Sequence, residues 1–116
     1  MSTPELQALH EALTALTQLE RGKAVSQTKV RAVAKACFEA RDEYKLAVHQ
    51  VEQFVKTAPP HCRLAGVYVI DAVCRRSKDQ SQHDVFTPRF ATQILATISA
   101  LDDADLEDRQ RLVKPV

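Results

Sequence analysis

Turn-forming and large aromatic residues are scarce in this sequence. Its 116 residues include two glycines and no tryptophan. A β-sandwich or β-barrel needs tight turns between many short strands, and glycine supplies many of those turns, so the composition excludes such folds. Alanine, leucine, glutamine, glutamate, lysine and arginine are abundant instead, and all six favour helices. We therefore predict an all-α fold, with residues 1–116 forming a single domain.

A large net charge is also missing. The formal net charge is +1, so overall electrostatics predict neither nucleic-acid binding nor membrane binding, and any charged recognition must depend on local patches. Residues 21–35 hold five bases and no acid, whereas residues 102–108 hold five acids and no base. Each run could equally be a solvated helix face.

Neither disulfide pairing nor membrane insertion is indicated. Cys37, Cys62 and Cys74 are odd in number and widely spaced, which is typical of reduced thiols in an intracellular protein. No apolar run approaches the roughly 18 residues of a membrane span, and no signal peptide opens the chain. We expect a soluble protein that is not secreted and does not bind membranes.

The usual motifs of enzymes are absent as well. The sequence has no Gly-rich phosphate loop, no nucleophile elbow and no His-Glu-x-x-His motif. Adjacent helical residues such as His61 and Cys62 point about 100° apart, which does not favour a shared metal. We predict a binding protein rather than an enzyme, with no metal and no cofactor.

Apolar periodicity predicts a series of helices. The first begins at Ser2-Thr3-Pro4-Glu5, which supplies a capping hydroxyl and a proline in the first turn, and ends near residues 20–22. A second runs from the Ser26 cap to about Ala40, a third from Tyr44 to Lys56, and a fourth from about His61 to Lys78. The apolar residues expected in the core of the first three are Leu6, Leu9, Leu13, Leu16, Leu19, Val30, Val33, Ala34, Cys37, Phe38, Leu46, Ala47, Val51, Phe54 and Val55.

The C-terminal part is predicted to contain shorter elements. Residues 79–83 read as a polar loop, and Pro88 is expected to open the next helix. A last brief helix is expected before Pro115. The apolar residues expected to pack in these two helices are Phe90, Ile94, Leu95, Ile98, Leu101, Leu106, Leu112 and Val113. Successive antiparallel helix pairs of this length are typical of an α-helical superhelix.

The fourth predicted helix carries two different faces. Leu64, Val67, Ile70 and Cys74 recur at the spacing of a core face. Tyr68, Asp71 and Arg75 form a neighbouring polar stripe. Asp71 and Arg75 alone could be an ordinary exposed pair at i and i+4, worth a few tenths of a kcal/mol.

Bases also gather where the second helix begins. Lys29 lies in its first turn, where a base opposes the positive end of the helix dipole. Free amide groups at such a terminus attract anions. Ser26, Lys29 and Lys23 are therefore a candidate phosphate site, although a solvated surface would explain them equally well.

Two strings resemble a known family. Residues 65–77 read Ala-Gly-Val-Tyr-Val-Ile-Asp-Ala-Val-Cys-Arg-Arg-Ser, and residues 84–90 read Asp-Val-Phe-Thr-Pro-Arg-Phe. Both closely resemble the RNA polymerase II C-terminal-domain-interacting domain (CID), in particular the version found in SR-related C-terminal-domain-associated factors. The resemblance extends over about residues 13–114.

The resemblance implies a fold and a ligand. The fold would be a right-handed superhelix of about seven helices, of the ENTH/VHS-like type, and the ligand the phosphorylated heptad repeat Tyr-Ser-Pro-Thr-Ser-Pro-Ser of the polymerase. Tyr68 would pack on a proline and a turn of this peptide, Asp71 would accept hydrogen bonds from the turn, and Arg75 lies on the same stripe. Ser26 and Lys29 match a Ser-x-x-Lys beside the groove.

The sequence departs from the family near its C-terminus. Lys114 stands where some members have an arginine that pairs with phosphate on the second-position serine, and lysine keeps the charge but lacks the bidentate fork. The chain ends before the family's final helix, so we expect a domain that is short at its C-terminus. The resemblance further implies a nuclear monomer that couples transcription to RNA processing or termination and contacts RNA only through other domains.

Two other functions fit a helical superhelix. A trafficking adaptor of the VHS or ENTH type would bind sorting peptides or lipid headgroups, and the basic run near the second helix would suit it. However, the leucine stripe of the first helix is better explained by a core than by lipid insertion. A structural scaffold would have no peptide groove, so joint exposure of Tyr68 and Asp71 in a concave surface distinguishes it from a peptide-binding module.

Overall fold

The computed structural model describes residues 3–18, 24–97 and 99, and within them the fold is all-α, as predicted. In chain order the helices are α1 (Pro4–Leu16), α2 (Gln27–Glu39), a 3₁₀ turn (Arg41–Glu43), α3 (Tyr44–Thr57), α4 (Pro60–Gln80) and α5 (Phe86–Thr92). Residues 94–97 are helical too. Helix α4 packs against both α2 and α3, and α1 covers the other side of α2 and contacts α3.

Helix α1 begins as predicted but ends earlier. The Thr3 hydroxyl accepts a hydrogen bond from the Leu6 amide at 3.2 Å, and Pro4 occupies the first turn. Leu6, Leu9, Leu13 and Leu16 are buried. The expected end near residues 20–22 was wrong, because the Thr17 hydroxyl and amide both donate to the Thr14 carbonyl and tighten the last turn. Leu19 and residues 20–22 lie outside the described residues.

The bounds of α2 and α3 are close to those predicted. The Ser26 hydroxyl accepts a hydrogen bond from the Lys29 amide at 3.3 Å, which confirms Ser26 as the N-cap of α2. Ala58, followed by two prolines, ends α3. The prediction for Leu46 was wrong: its side chain is 49% exposed, since the buried face of α3 is centred on Ala47, Val51 and Val55.

The core face of α4 differs from the predicted one. Leu64 is 42% exposed, Val67 and Cys74 are only half-buried, and Ile70 alone of the expected four is buried. Because α4 is covered by two helices, its buried face is broad and consists largely of small residues. The buried residues of this face are Cys62, Ala65, Gly66, Val69, Ile70, Val73 and Ser77.

A close contact between α3 and α4 depends on Gly66. A β-carbon at this position would lie 2.5 Å from Val55 Cγ2 and 3.0 Å from Phe54 Cδ1. Both distances are too short for carbon atoms, so α4 can approach α3 this closely only because residue 66 has no side chain.

Asp84 connects the end of α4 to the start of α5. Its Oδ1 accepts hydrogen bonds from the Ser77 hydroxyl at 2.7 Å and from the Phe86 and Thr87 amides, each at 3.1 Å. Burial alone would raise the pKa of Asp84, but hydrogen bonds from Thr87, Ser77 and Phe86 outweigh it and hold the pKa below its usual range. The carboxylate therefore fixes the turn between the two helices.

The Asp84 hydrogen bonds explain one error in the C-terminal prediction, and two others are observed without them. Helix α5 begins at Phe86, two residues before the expected Pro88, because Asp84 already binds its first amides. Helix α4 continues to Gln80, into the expected loop. Leu95 was predicted to be in the core but is 80% exposed, whereas Phe90 is buried.

The remaining C-terminal predictions concern other residues. The side chains of Ile98 and Leu101, the acidic run 102–108 and the expected helix with Leu106, Leu112 and Val113 lie outside the described residues. Within residues 3–18, 24–97 and 99, no helix combines the length and the apolar character that crossing a membrane requires.

We expect Gly66→Ala to destabilise the fold. Alanine normally improves a helix by about 1 kcal/mol relative to glycine. Here the added methyl group overlaps Val55, and overpacking of this kind costs about 1–3 kcal/mol, so the net effect should be a lower free energy of unfolding in urea. The Val55→Ala/Gly66→Ala double variant removes the overlapping atom, so it should lose less than the sum of the two single variants. Strict additivity would contradict this explanation.

Asp84→Asn should make stability less dependent on pH. Because the folded pKa lies below the unfolded value of about 3.9, the stabilisation by the charge is fully present above about pH 5 and is lost as the pH falls through the folded pKa. We expect the variant to lose about 1 kcal/mol at pH 7 in urea unfolding and to approach the wild type as the pH falls below about 3. Glu11→Gln, which changes an exposed carboxylate of α1, is the control and should show no such trend.

Candidate functional site

A groove of about 500 Å³ lies between α2 and α4. Its floor is apolar and is formed by Val30 and Ala34, which are buried, and by the half-buried Ala72. Its walls are polar and charged. The residues of the walls are Gln27, Arg31, Tyr68, Asp71, Arg75, Arg76, Asp79 and Gln80.

The helical period of α4 explains which side chains enter this groove. Tyr68, Asp71, Arg75 and Asp79 are spaced by three and four residues, so they lie on one stripe along the helix. The buried residues of α4 face the core on the opposite side, towards α2 and α3. The predicted polar stripe of Tyr68, Asp71 and Arg75 is therefore confirmed as a continuous exposed surface.

Tyr68 combines an accessible ring with a polar hydroxyl. Its side chain is 42% exposed although it adjoins the apolar floor. An aromatic ring left open in a concave surface offers a flat apolar face to a ligand. This position favours contact with a proline or an aliphatic side chain.

Asp71 is held by its neighbour one helical turn away. Arg75 Nε lies 3.1 Å from Asp71 Oδ2. The Oδ1 atom accepts no hydrogen bond from the described residues, so it is available to a ligand. Arg75 thereby orients the carboxylate while leaving one oxygen able to accept from a peptide amide or hydroxyl.

The predicted residues of α2 lie beside the groove rather than in it. The Ser26 hydroxyl caps the helix by binding the Lys29 amide, and Ser26 immediately precedes Gln27 of the groove wall. Lys29 is exposed but is two positions, or about 200°, around the helix from Gln27, so it does not line the groove. Lys23 and Lys114 lie outside the described residues. The structure thus brings together Tyr68, Asp71 and Arg75, whereas Ser26 and Lys29 stay separate predictions.

Two bases of the groove were not predicted as site residues. Arg31 reaches it from α2 and Arg76 from α4. Arg31 follows Gln27 by four residues and borders the buried Val30, and this spacing was the available signal in the sequence. Nothing in the sequence of α4 distinguishes Arg76 from its neighbour Arg75.

A second, smaller cavity lies between α1 and α3. Its volume is about 270 Å³, and it is lined by Leu13 and Phe54 together with His10 and His49. Within the described part of the chain, no three His, Cys, Asp or Glu side chains cluster as metal ligands would. The two histidines therefore give this cavity no evident metal chemistry.

Burial shifts the pKa values of several groups that lie outside the groove. Burial raises the pKa of the Glu52 carboxyl. The positive charges of Lys56, Arg89 and His49 offset part of this rise. Burial also raises the pKa of the Cys37 thiol to about 12, with a smaller contribution from Cys74. All three cysteines are free. A thiol with so high a pKa stays protonated at neutral pH and is a poor nucleophile.

Comparisons with known proteins agree with the earlier resemblance. Residues 7–115 match the family model of the CID domain. The chain is 34% identical over 92 residues to SR-related and CTD-associated factor 8 of Homo sapiens, and this match covers 78% of the chain and 7% of the relative. It is 37% identical over 92 residues to SR-related and CTD-associated factor 4 of Homo sapiens, covering 78% of the chain and 8% of the relative. The chain thus spans less than a tenth of the length of these relatives.

The groove side chains should be replaceable without loss of the fold. Arg75 and Asp71 are 77% and 59% exposed, and exposed pairs of this kind contribute less than about 1 kcal/mol. We expect Arg75→Gln to change the free energy of unfolding by less than about 0.5 kcal/mol in urea titrations. Val73→Ala, on the buried face of the same helix, is the comparison and should cost about 1–3 kcal/mol. A large loss in Arg75→Gln would mean that the groove wall supports the core.

Proposed function

The chain belongs to the CID domain family, and on this premise we propose that it is a binding module for the phosphorylated C-terminal domain of the largest subunit of RNA polymerase II. A binding module rather than an enzyme is part of this proposal, and the family match supports it. The names of the two relatives describe them as associated with this C-terminal domain, which supports the same partner here.

The observation that carries the proposal is the joint exposure of Tyr68 and Asp71 in one groove. An open aromatic ring, an apolar floor and a free carboxylate oxygen together suit a proline-containing turn. The ring packs on the proline, and Asp71 accepts hydrogen bonds from the turn while Arg75 holds the carboxylate in place. A groove of about 500 Å³ also falls within the usual size of ligand sites, about 300–1,000 Å³. A helical scaffold without a ligand would not need this combination.

Phosphate recognition requires bases near the groove. We propose that Ser26 and Lys29 contact the end of the peptide that passes the start of α2. The first turn of α2 has no acid, and the free amides at its N-terminus favour an anion. Lys23 and Lys114 are further phosphate-binding bases of the proposal. A lysine contributes a point charge without the forked donors of arginine, so its contacts depend strongly on salt.

The binding should be weak for a single site and stronger for a repeated ligand. Exposed charge pairs and one aromatic contact are consistent with a dissociation constant on the order of micromolar or higher. A polymerase tail with many repeats raises the apparent affinity through effective concentration. Such a module acts in the nucleus as a monomer and couples transcription to RNA processing or termination. Contacts to RNA would come from other parts of the full-length protein.

The test is a fluorescence-anisotropy titration of two-repeat heptad peptides. Peptides that are unmodified, or phosphorylated at the second-, fifth- or seventh-position serine, are titrated with the wild type and with Asp71→Asn and Tyr68→Ala. We expect phosphate-dependent binding by the wild type and a loss of about tenfold or more in each variant, because each removes a contact to the turn. Lys114→Ala, measured with every peptide, shows which phosphate that base contacts.

Lys45→Gln, an exposed base of α3 outside the groove, is the matched control and should bind like the wild type. Circular dichroism confirms that each variant is folded. If a folded wild type binds none of the peptides at hundreds of micromolar, the proposal is wrong for this chain. Binding that survives in Asp71→Asn and Tyr68→Ala would place the peptide on another surface.

A further inference from the structure

The α2–α4 groove contains more positive charge than its acids neutralise. Arg31, Arg75 and Arg76 face Asp71 and Asp79 there, which leaves a formal excess of one positive charge. Asp71 is already paired with Arg75 at 3.1 Å. Within the described part of the chain, neither Arg31 nor Arg76 lies within 4.0 Å of a carboxylate oxygen, and Asp79 forms no ion pair.

The two unpaired arginines come from facing walls of the groove. Arg31 belongs to the second turn of α2, and Arg76 belongs to the last part of α4. Arg76 is half-buried and has no carboxylate oxygen within 4.0 Å among the described residues, whereas Arg31 is exposed. An anion between the two groups would stabilise the partly desolvated charge of Arg76 and could also be reached by Arg31.

Helix dipoles do not account for Arg31. A base near the N-terminus of α2 opposes the local positive potential, and no acid in the first turn offsets it. Arg76 lies near the C-terminal end of α4, where the helix dipole favours a base, so the dipole already accounts for its position. Arg31 has no such explanation and is therefore the stronger indication of a ligand. Two guanidinium groups on facing walls provide forked donors that match the oxygens of a phosphate.

We propose that Arg31 and Arg76 together bind one phosphate group of the peptide inside the α2–α4 groove. This inference rests on the proposed function and adds the residues that read the phosphate. A bound phosphate carries about −1.5 to −2 charges, so it would more than neutralise the groove's excess of one positive charge and could pair with both arginines. Lys29, beside the groove, would then contribute general attraction, whereas the arginine pair would determine which phosphate is preferred.

The placement also restricts the peptide. Tyr68 and Arg76 are eight residues apart on α4, which corresponds to about 12 Å along the helix axis. An extended peptide covers this distance in roughly three or four residues. Because the turn on Asp71 shortens the peptide between these positions, the phosphoserine that the arginine pair binds should be separated from the proline on Tyr68 by at least that number of residues.

The experiment compares Arg31→Gln, Arg76→Gln and the double variant by anisotropy with the same four peptides. Each single variant should lower the affinity for the preferred phosphopeptide about three- to tenfold, because a charge-assisted hydrogen-bond pair is lost. The double variant should lose most of the wild-type preference for that phosphopeptide over the unmodified peptide, and the lysines should account for the remainder, with unmodified peptide bound within about twofold of the wild-type affinity. Arg31→Lys, which keeps the charge without the fork, should recover only part of the loss. Lys45→Gln again serves as the control for the loss of a remote charge.

A double variant that keeps the wild-type preference for phosphate would overturn the inference while leaving the proposed function intact. If the wild type binds no heptad peptide, the proposed function fails, and inorganic phosphate becomes the probe for the arginine pair. Saturable shifts of the Arg31 and Arg76 side-chain NH signals in ¹H–¹⁵N spectra would then support the phosphate site. Arg41, which stacks on the Phe38 ring at 4.9 Å, supplies the reference signal. Shifts no larger than those of Arg41 would overturn the inference.

Discussion

The close packing of α4 against α3 is the constraint on which the rest of the structure depends. Gly66 lets the α4 backbone approach Val55 and Phe54 closely, and the neighbouring Ala65 and Val69 are fully buried. With α2 covering its other flank, α4 buries a broad face built of small residues. The opposite stripe is left as one wall of the groove, so the position of Tyr68 and Asp71 follows from a contact on the far side of the same helix.

Local signals in the sequence predicted most of the helix bounds correctly. The Thr3 and Ser26 hydroxyls bind the amides that a cap should bind, and the prolines after Ala58 separate α3 from α4. Errors arose where a distant partner decides the outcome. The core face of α4 was misplaced because the sequence does not reveal that two helices cover it, and Leu64 consequently lies exposed. Asp84 moved the start of α5 by binding Ser77, seven residues earlier in the chain.

The candidate site shows the same division. Tyr68, Asp71 and Arg75 could be predicted as one surface because they share a helix, and the period of a helix is visible in a sequence. The sequence could not predict that Arg31 lines the same groove, because its position opposite α4 depends on how α2 packs. Lys29 illustrates the reverse case: it matches a site residue in sequence, yet its position around α2 leaves it beside the groove rather than in its lining. Neighbouring positions in one basic run thus have different surroundings.

The charge distribution is compatible with the proposed binding of a phosphate by a nearly neutral protein. A net charge of +1 over the whole chain gives little long-range attraction. Within the groove, the Asp71–Arg75 pair neutralises itself, so the potential depends on the remaining arginines and Asp79. Arg76 is half-buried beside the apolar floor, so its field is less screened than that of exposed surface lysines. In the proposed function, selectivity would then arise from a few well-placed charges, while weak overall attraction would let the domain release one repeat and bind the next.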